Sequence, residues 1–374
     1  MRKNKKNRRI AVGALSLVIG ACSWGACGQS SSAVSKTVPE NPIVRQLRET
    51  KGEGILFGHQ DDLAYGVGWE YIDGESDVKH VAGDYPALLG WELGGLELGQ
   101  EVNLDSVPFS KMNELAVWGF EHGAINTFSW HPHSPIDSIN AWHGDSVVVK
   151  HILPGGAYHA QFDQQLDQVA EFFLGLKDKS GQPVPFIFRP WHEMDGGWFW
   201  WGSKACSPTE LKVLFRYTIE YLRAKGLNQM VVAYSPDRNF DSPEEYLQWY
   251  PGDDIVDILG MDNYYDLAQA DGEKEAIRKL HIVIDLAKEK NKLAALTETG
   301  LELVPDSVWY SQKLGRVLGD STVQKELSYA MVWRNDSKKH FFFPYPGHPA
   351  ADDAKNLLDQ PNILLLDEFN QLKK

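Results

Sequence analysis

The chain has 374 residues, of which 43% are apolar and 24% are charged, and its 37 basic against 51 acidic side chains leave a net charge of −14. This composition is typical of a globular protein with a large core, and it excludes a disordered tail and a fibrous repeat. Six of the 37 basic residues lie within the first nine positions, so the rest of the chain has 31 basic and 51 acidic residues and a net charge of −20. Such a negative charge disfavours nucleic acid as a partner.

The basic N-terminus is followed by a largely apolar run of twelve residues, Ile10 to Ala21. Such a run is too short to cross about 30 Å of hydrocarbon as a helix, but it suits the middle of a secretory signal. Ile19-Gly20-Ala21-Cys22 resembles a bacterial lipoprotein processing site, where Cys22 is acylated. We therefore expect a signal peptide over residues 1–21 and a lipidated cysteine with a flexible tether over residues 22–40. Plain cleavage nearby, or use of Cys27, is the alternative.

These features predict an exported protein, anchored by lipid in the bacterial periplasm or at the outer-membrane surface. Beyond residue 27 the only cysteine is Cys206, so the globular part has no internal disulfide and no zinc-type cysteine spacing. Its stability must come from a hydrophobic core, which a body of this length can supply. We expect residues 41–374 to form one catalytic domain and the protein to be a monomer.

Eight short runs rich in β-branched and aromatic residues recur along this body, and each ends in polar or charged residues. They are Ile55–Asp61, Ala87–Glu92, Ala124–His131, Pro185–Glu193, Met230–Ser235, Ile255–Asp262, Leu293–Glu298 and Leu327–Trp333. Strands that alternate with helical stretches predict an α/β fold, and eight units favour a (β/α)8 TIM barrel in a single domain. An open sheet is the alternative, but it predicts a glycine-rich phosphate turn after the first strand, which Phe57-Gly58-His59-Gln60-Asp61 does not provide.

Helical spacing is clearest over Ser207–Lys225, where Ser207 and Glu210 form a capping box ahead of an apolar face. Glu273–Lys290 and Phe162–Leu176 show the same period.

The gap between the third and fourth strand ends, from His131 to Glu193, spans 62 residues and exceeds what one helix needs. It predicts a long loop over the barrel mouth, roughly Pro132–Gln161.

Carboxylates dominate the strand ends, which in a barrel form the open concave face. Glu193 and Glu298 end the fourth and seventh strands, which lie across the mouth from each other. Two opposed carboxyl groups suit hydrolysis of a glycosidic bond, because one can protonate the leaving oxygen while the other attacks the anomeric carbon or activates water. Taken singly, each Glu could instead bind an arginine or brace a loop. Asp61, Glu92 and Asp262 are expected to be supporting partners or hydroxyl binders.

Several motifs fall in the order found in one known family. They are Phe57-Gly58-His59-Gln60-Asp61, Phe188-Arg189-Pro190-Trp191-His192-Glu193-Met194-Asp195-Gly196, Gly260-Met261-Asp262-Asn263-Tyr264 and Thr297-Glu298-Thr299-Gly300. From about residue 42 to 365 the chain resembles glycoside hydrolase family 26, whose characterised members are mostly β-mannanases. The resemblance implies a retaining double displacement with Glu193 as general acid/base and Glu298 as nucleophile. It also implies sugar contacts from His131, Arg189, His192, Trp198, Asp262, Tyr264 and Trp333.

These roles also have physical requirements. A nucleophile must stay ionised, so it needs donors such as Tyr264 or Arg189. Its partner must start protonated, which calls for a dry site beside a second negative charge, with Trp191 and Trp198 as the apolar wall. Sugar rings pack their C–H faces on indole, so Trp198 and Trp333 are the expected platforms.

We therefore predict a β-mannanase without cofactor or metal, acting on β-mannan, galactomannan or glucomannan. Within the same fold, the alternatives are an exo enzyme that releases mannobiose and an enzyme that cuts another β-glucan or xylan. A non-catalytic sugar-binding lipoprotein is the alternative of another class. The pair His131-Pro132-His133 could suggest a metal-dependent hydrolase, but proline distorts the pair and no strand-end lysine is available to bridge two metals or to form a Schiff base.

Overall fold

Eight parallel strands run through the centre of the computed structural model, which describes residues 40–373. The predicted signal peptide, Cys22 and Cys27 lie outside the described residues. Strands β1 to β8 are Ile55–Gln60, Leu88–Glu92, Ile125–Trp130, Phe186–Pro190, Met230–Tyr234, Ile258–Asp262, Leu293–Thr299 and Leu327–Val332. Each strand pairs with the next, and β8 pairs with β1, where Gly58 lies opposite Met331, so the sheet closes. The predicted (β/α)8 barrel and its eight strands are confirmed.

Helices connect the strands, as parallel pairing requires. Pro42–Thr50 precedes β1, and Ala351–Leu358 and Leu366–Leu372 follow β8. The helices between the strands are Asp77–Ala82, Phe109–Glu121, Val149–Ile152, His159–Gly175, Pro208–Ala224, Pro243–Tyr246, Tyr265–Ala268, Gly272–Glu289, Gly315–Leu318 and Ser321–Glu326. A short hairpin joins Tyr65–Gly66 to Trp69–Glu70, and Ile363–Leu364 adds a strand beside β1. Within residues 40–373, no helix has both the length and the apolar character needed to span a membrane.

Two apolar layers follow from the period of two in the strands. Every second side chain of a strand points into the barrel and fills its interior, for example Leu56, Leu88, Ile125, Ile187 and Val231. The alternate side chains point outward and pack against the helices. Because both faces of every strand are buried, the strands read as nearly continuous apolar runs, and burial of each large side chain contributes about 1.5–3 kcal/mol. The ionisable side chains His59, Glu92, Arg189, Asp262 and Glu298 all lie in the last two positions of their strands.

Local signals place the helices well. Ser207 caps Pro208–Ala224, and its backbone N–H donates to Glu210 while its side chain accepts from the Glu210 N–H, which confirms the capping box. The predicted loop Pro132–Gln161 is partly wrong, because it contains the helix Val149–Ile152 and the next helix begins at His159. Val149 and Ile152 are fully buried, and this packing outweighs the weak helix propensity of β-branched residues.

Candidate active site

The turn that follows β4 sets the direction of the Glu193 side chain. Trp191 and Glu193 adopt positive φ angles of 57° and 53°, a conformation that costs non-glycine residues on the order of 1–3 kcal/mol. The turn is held by the Glu193 N–H, which donates to the Ser235 carbonyl at 2.8 Å, and by the Gly196 N–H, which donates to the Glu193 carbonyl at 2.9 Å. As a result, Glu193 lines the cleft at the barrel mouth.

Glu298 lies in β7 and is only 4% exposed. Its carboxylate accepts hydrogen bonds from the Arg189 guanidinium and from the Tyr264 hydroxyl, the latter at 2.8 Å. Donors that bind both oxygens stabilise the ionised carboxylate. Arg189 and Tyr264 are the two donors that the sequence reasoning proposed for the nucleophile.

The two glutamates meet across the barrel. Glu193, Glu298 and Asp262 each have a carboxylate oxygen within 4.8 Å of the others. Retaining glycosidases hold their two carboxyl groups about 5–5.5 Å apart, whereas inverting enzymes need about 6.5–9.5 Å to admit a water. The separation of Glu193 and Glu298 therefore suits direct attack on an anomeric carbon.

The surroundings of Glu193 favour its neutral form. Burial raises the pKa of Glu193 well above its usual value, and the negative charges of Asp262, Glu298 and Asp237 raise it further. The Trp198 indole Nε1 donates to Glu193 Oε2 at 2.8 Å and opposes this shift only in part. A carboxylic acid kept protonated beside an ionised one is the arrangement that general acid catalysis needs.

Arg189 and Asp262 lie behind the reacting pair. Arg189 is 1% exposed and donates to Asp262 Oδ2 at 2.9 Å and to Ser235 Oγ at 3.1 Å, while Asp262 is fully buried and accepts from Thr297 Oγ1 at 2.6 Å. Burial raises the pKa of Asp262 well above its usual value, and the ion pair with Arg189 opposes the shift only in part. Neither side chain is among the residues that line the cleft. Arg189 supports Glu298, and the sugar contacts of Arg189 and Asp262 stay predictions.

A cleft of about 570 Å³ opens above the two glutamates. The other predicted residues that line it are His131, His192, Trp198, Tyr264 and Trp333. Sequence reasoning did not assign the remaining lining residues, which are Trp142, Phe199, Tyr265, Ala268, Gly300, Leu301, Glu302 and Phe342. Tyr265 follows the predicted Tyr264 directly, which was a usable signal, whereas Phe342 comes from a distant loop with no such signal.

Trp191 does not lie where the sequence predicted it. It was expected to form an apolar wall beside Glu193, but it is fully buried behind the turn, where its Nε1 donates to Thr218 Oγ1 at 3.1 Å and its ring packs on Trp130 and Trp200. Of the two tryptophans, Trp198 is the one that lines the cleft with Glu193 and donates to it.

The two histidines of His131-Pro132-His133 bind different carboxylates and do not converge. His131 Nδ1 lies 2.8 Å from Glu92, and His133 Nδ1 lies 2.8 Å from Glu97. Within residues 40–373, one group of three side chains has metal-ligand spacing, namely the Glu193, Asp262 and Glu298 cluster described above. The guanidinium of Arg189 already supplies a positive charge to two of these three carboxylates.

Comparison with known proteins gives one consistent picture. The sequence profile described as Glycosyl hydrolase family 26 matches residues 35–314. Among solved structures, a GH26 β-mannanase from Bacteroides ovatus is similar with 42% identity and a TM-score of 0.84, covering 89% of this chain and 96% of that one. A modular endo-β-1,4-mannanase from Cellulomonas fimi has 31% identity and a TM-score of 0.79, covering 87% of this chain and 76% of that one.

Among curated proteins, a mannan endo-1,4-β-mannosidase of Bifidobacterium adolescentis is 33% identical over 279 residues, which are 72% of this chain and 28% of that protein. The enzyme of the same name from Bacillus subtilis strain 168 is 28% identical over 246 residues, 63% of each chain. The chain thus spans less than two thirds of the length of these curated relatives.

Proposed function

Because the chain belongs to glycosyl hydrolase family 26, we propose that it hydrolyses internal β-1,4-mannosidic bonds of mannan with net retention at the anomeric carbon. The observation that carries this proposal is the approach of Glu193 and Glu298, whose carboxylate oxygens lie within 4.8 Å at the floor of an aromatic cleft. That spacing supports covalent capture of the sugar rather than direct attack by water.

In the first step, a Glu298 oxygen attacks the anomeric carbon while Glu193 gives its proton to the glycosidic oxygen, which leaves as the hydroxyl of the departing chain. Arg189 and Tyr264 hold the Glu298 carboxylate in place for the attack. Trp198 fixes the Glu193 carboxyl from the side of the cleft. The product is a glycosyl ester on Glu298.

In the second step, the roles of the glutamates change because one charge has disappeared. The negative charge of Glu298 is one of the causes that raise the pKa of Glu193, so esterification lowers that pKa and favours the carboxylate. Glu193 can then take a proton from a water molecule that attacks the anomeric carbon, and Glu298 leaves as a carboxylate. Atoms and charges balance, and both glutamates return to their initial states.

The cleft suits a neutral polysaccharide. Trp142, Trp198 and Tyr265 expose 51%, 38% and 56% of their surface, and such rings pack well on the C–H faces of sugars. A protein with a net charge of −14 does not repel uncharged β-mannan, galactomannan or glucomannan. Mannan as the substrate class is supported by the mannanase relatives.

Product analysis on mannan tests this proposal. Internal cutting lowers the viscosity of galactomannan early, while few reducing ends have formed, and the new reducing sugars keep the β configuration when followed by proton NMR. Release of mannobiose as the only product from the outset would contradict internal cutting and identify an exo enzyme. Faster turnover of xylan or β-glucan than of mannan would show that mannan is not the preferred substrate. Binding of mannan without hydrolysis would show that the protein is a non-catalytic sugar-binding protein.

For the N-terminal region we propose export and acylation at Cys22, because a basic start, an apolar run and Ile19-Gly20-Ala21-Cys22 follow in order. We also propose that the mature enzyme acts as a monomer. Metabolic labelling with a fatty acid should mark the wild-type chain and Cys27→Ala but not Cys22→Ala. Label that persists in Cys22→Ala would contradict this assignment, and light scattering of the detergent-free catalytic domain checks the monomer.

A further inference from the structure

A chain of three side chains crosses one wall of the cleft. Glu92, at the end of β2, lies 2.8 Å from His131 Nδ1, and His131 Nε2 lies 3.0 Å from His192 Nε2. All three are at least 94% buried, and both histidines line the cleft. The catalytic steps derived above use none of the three.

Hydrogen-bond accounting places the proton between Glu92 and His131. The Glu92 carboxylate accepts from the backbone N–H groups of Gly94 and His131 and from the Ser129 hydroxyl. A carboxylate with three donors is ionised, so the proton of the fourth bond lies on His131 Nδ1. Burial opposes ionisation, but the charge and the hydrogen bond of His131 lower the pKa of Glu92.

Between the two histidines, one nitrogen must donate and the other must accept. Burial alone would lower the pKa of His131, but Glu92, Glu298 and Asp105 raise it. Burial, together with the positive charges of Arg189 and His131, lowers the pKa of His192 well below its usual value. These opposite shifts favour the arrangement in which the shared proton lies on His131, so that its ring is an imidazolium and donates from both nitrogens.

This assignment also settles the form of His192. Its Nε2 accepts, so its single proton lies on Nδ1, a buried atom without a hydrogen-bond partner among the described residues. The His131 ring also stacks on Trp142, with ring centroids 5.0 Å apart and 10° between the planes. An imidazolium binds an indole face better than a neutral ring does, so the same charge helps to hold Trp142 over the cleft.

We propose that Glu92 is a positioning residue that keeps His131 protonated in the cleft, and that this charge fixes the tautomer of His192 and the orientation of Trp142. The inference rests on the proposed hydrolysis of mannan only for its effect on turnover. The positive charge next to Glu298 also offsets part of the negative charge that Glu298 and Asp262 place in the site.

The chain contains a matched control. Glu97 is 6% exposed, accepts from the backbone N–H of His133, and lies 2.8 Å from His133 Nδ1. This second Glu–His pair repeats the local geometry of the first, but His133 does not line the cleft. Glu97→Gln therefore removes a similar buried charge without touching the proposed array.

The direct test is a pH titration of the histidine rings by ¹⁵N NMR, with His131→Gln and His192→Gln variants to assign the signals. In the wild-type protein at about pH 6.5, the usual pKa of a histidine, most His131 rings should carry protons on both nitrogens and His192 should carry one on Nδ1 alone. Glu92→Gln should move the titration of His131 down by at least about one pH unit, whereas Glu97→Gln should leave it in place. A wild-type His131 that is mostly neutral at about pH 6.5, or an equal shift in both variants, overturns the proposal.

Kinetics provide the functional readout. At a pH where His131 is charged only in the wild-type enzyme, Glu92→Gln should lower kcat/KM on mannan about tenfold or more, with recovery as the pH is lowered, and Glu92→Asp should restore part of the loss. If Glu92→Gln lowers kcat/KM by the same factor at every pH, Glu92 has only a structural role. Because the ring titration needs no substrate, it stands even if mannan is not hydrolysed, so the two proposals can fail separately.

Discussion

The indole Nε1 of Trp198 donates a hydrogen bond of 2.8 Å to Oε2 of Glu193, although the Trp198 ring remains 38% exposed in the cleft. One side chain thus presents a surface to the sugar and a donor to the proposed acid. The hydrogen bond favours the ionised form of Glu193 and lowers its pKa, against the larger effect of burial. These two roles can be separated by substitution.

Trp198→Phe should keep an aromatic surface and remove the donor. The pKa of Glu193 then rises, and since the acid works in its protonated form, the alkaline limb of kcat/KM should move to higher pH by about 0.7 unit, the equivalent of one hydrogen bond. Trp198→Ala should in addition raise KM for long substrates. Identical pH profiles for Trp198→Phe and the wild type would contradict the coupling between the two residues.

Glu298→Ala should abolish hydrolysis, with a loss on the order of 10⁴-fold or more, while mannooligosaccharide binding stays measurable by calorimetry. Glu302→Ala is the matched control, because Glu302 lines the same cleft but pairs with His340 rather than with the catalytic cluster. That variant should keep turnover within about tenfold of the wild type. Turnover in Glu298→Ala at a similar level would remove Glu298 from the mechanism.

Glu193→Ala should affect substrates according to their leaving groups. A mannoside with a sugar leaving group needs protonation, so its rate of glycosylation should fall on the order of 10²–10⁴-fold. An activated aryl mannoside needs little protonation and should lose much less. The ratio of the two rates, measured in the variant and the wild type, is the readout, and equal losses would argue against the acid role.

Asp237→Asn should shift the pH profile in the opposite direction to Trp198→Phe. Asp237 is one of the negative charges that raise the pKa of Glu193. Its removal lowers that pKa, so Glu193 loses its proton earlier and the alkaline limb moves down, on the order of 0.5 unit. Asp241→Asn, an exposed change on the same loop, serves as the control. If the alkaline limbs of Asp237→Asn and Asp241→Asn lie at the same pH, Asp237 does not act on Glu193.

Ser207→Ala tests the helix start far from the chemistry. Loss of the N-cap should lower the free energy of unfolding by about 1 kcal/mol and leave kcat unchanged. Chemical denaturation measures the change, and Thr209→Ala, an exposed substitution in the same first turn, provides the baseline. Equal stability of these two variants would mean that the capping box contributes nothing measurable.

Local patterns account for what the sequence predicted correctly. Short apolar runs gave the eight strands because both faces of a barrel strand are buried, and Ser207 and Glu210 marked a helix start because capping depends on neighbours in the chain. A parallel barrel brings all strand C-termini to one edge, so the sequence alone predicts that Glu193 and Glu298 face each other. Their roles remain predictions that the experiments above test.

Other features depend on contacts between distant parts of the chain. No local pattern indicates that Arg189 and Asp262 form a buried ion pair beneath Glu298, because the pair depends on β4 and β6 pointing both side chains toward the barrel axis. Trp191 could not be separated from Trp198 by sequence, since the positive φ angles of the intervening turn decide which one reaches the cleft.

The sequence by itself determined the barrel, its strand ends and the two glutamates, because these follow from periodicity and from residues adjacent in the chain. Only the tertiary structure decided which side chains meet. The link from Glu92 through His131 to His192 joins three strand ends, and its protons depend on burial and on charges supplied by other strands. Such distances and desolvation arise only when the chain has closed on itself, so no local pattern encodes them.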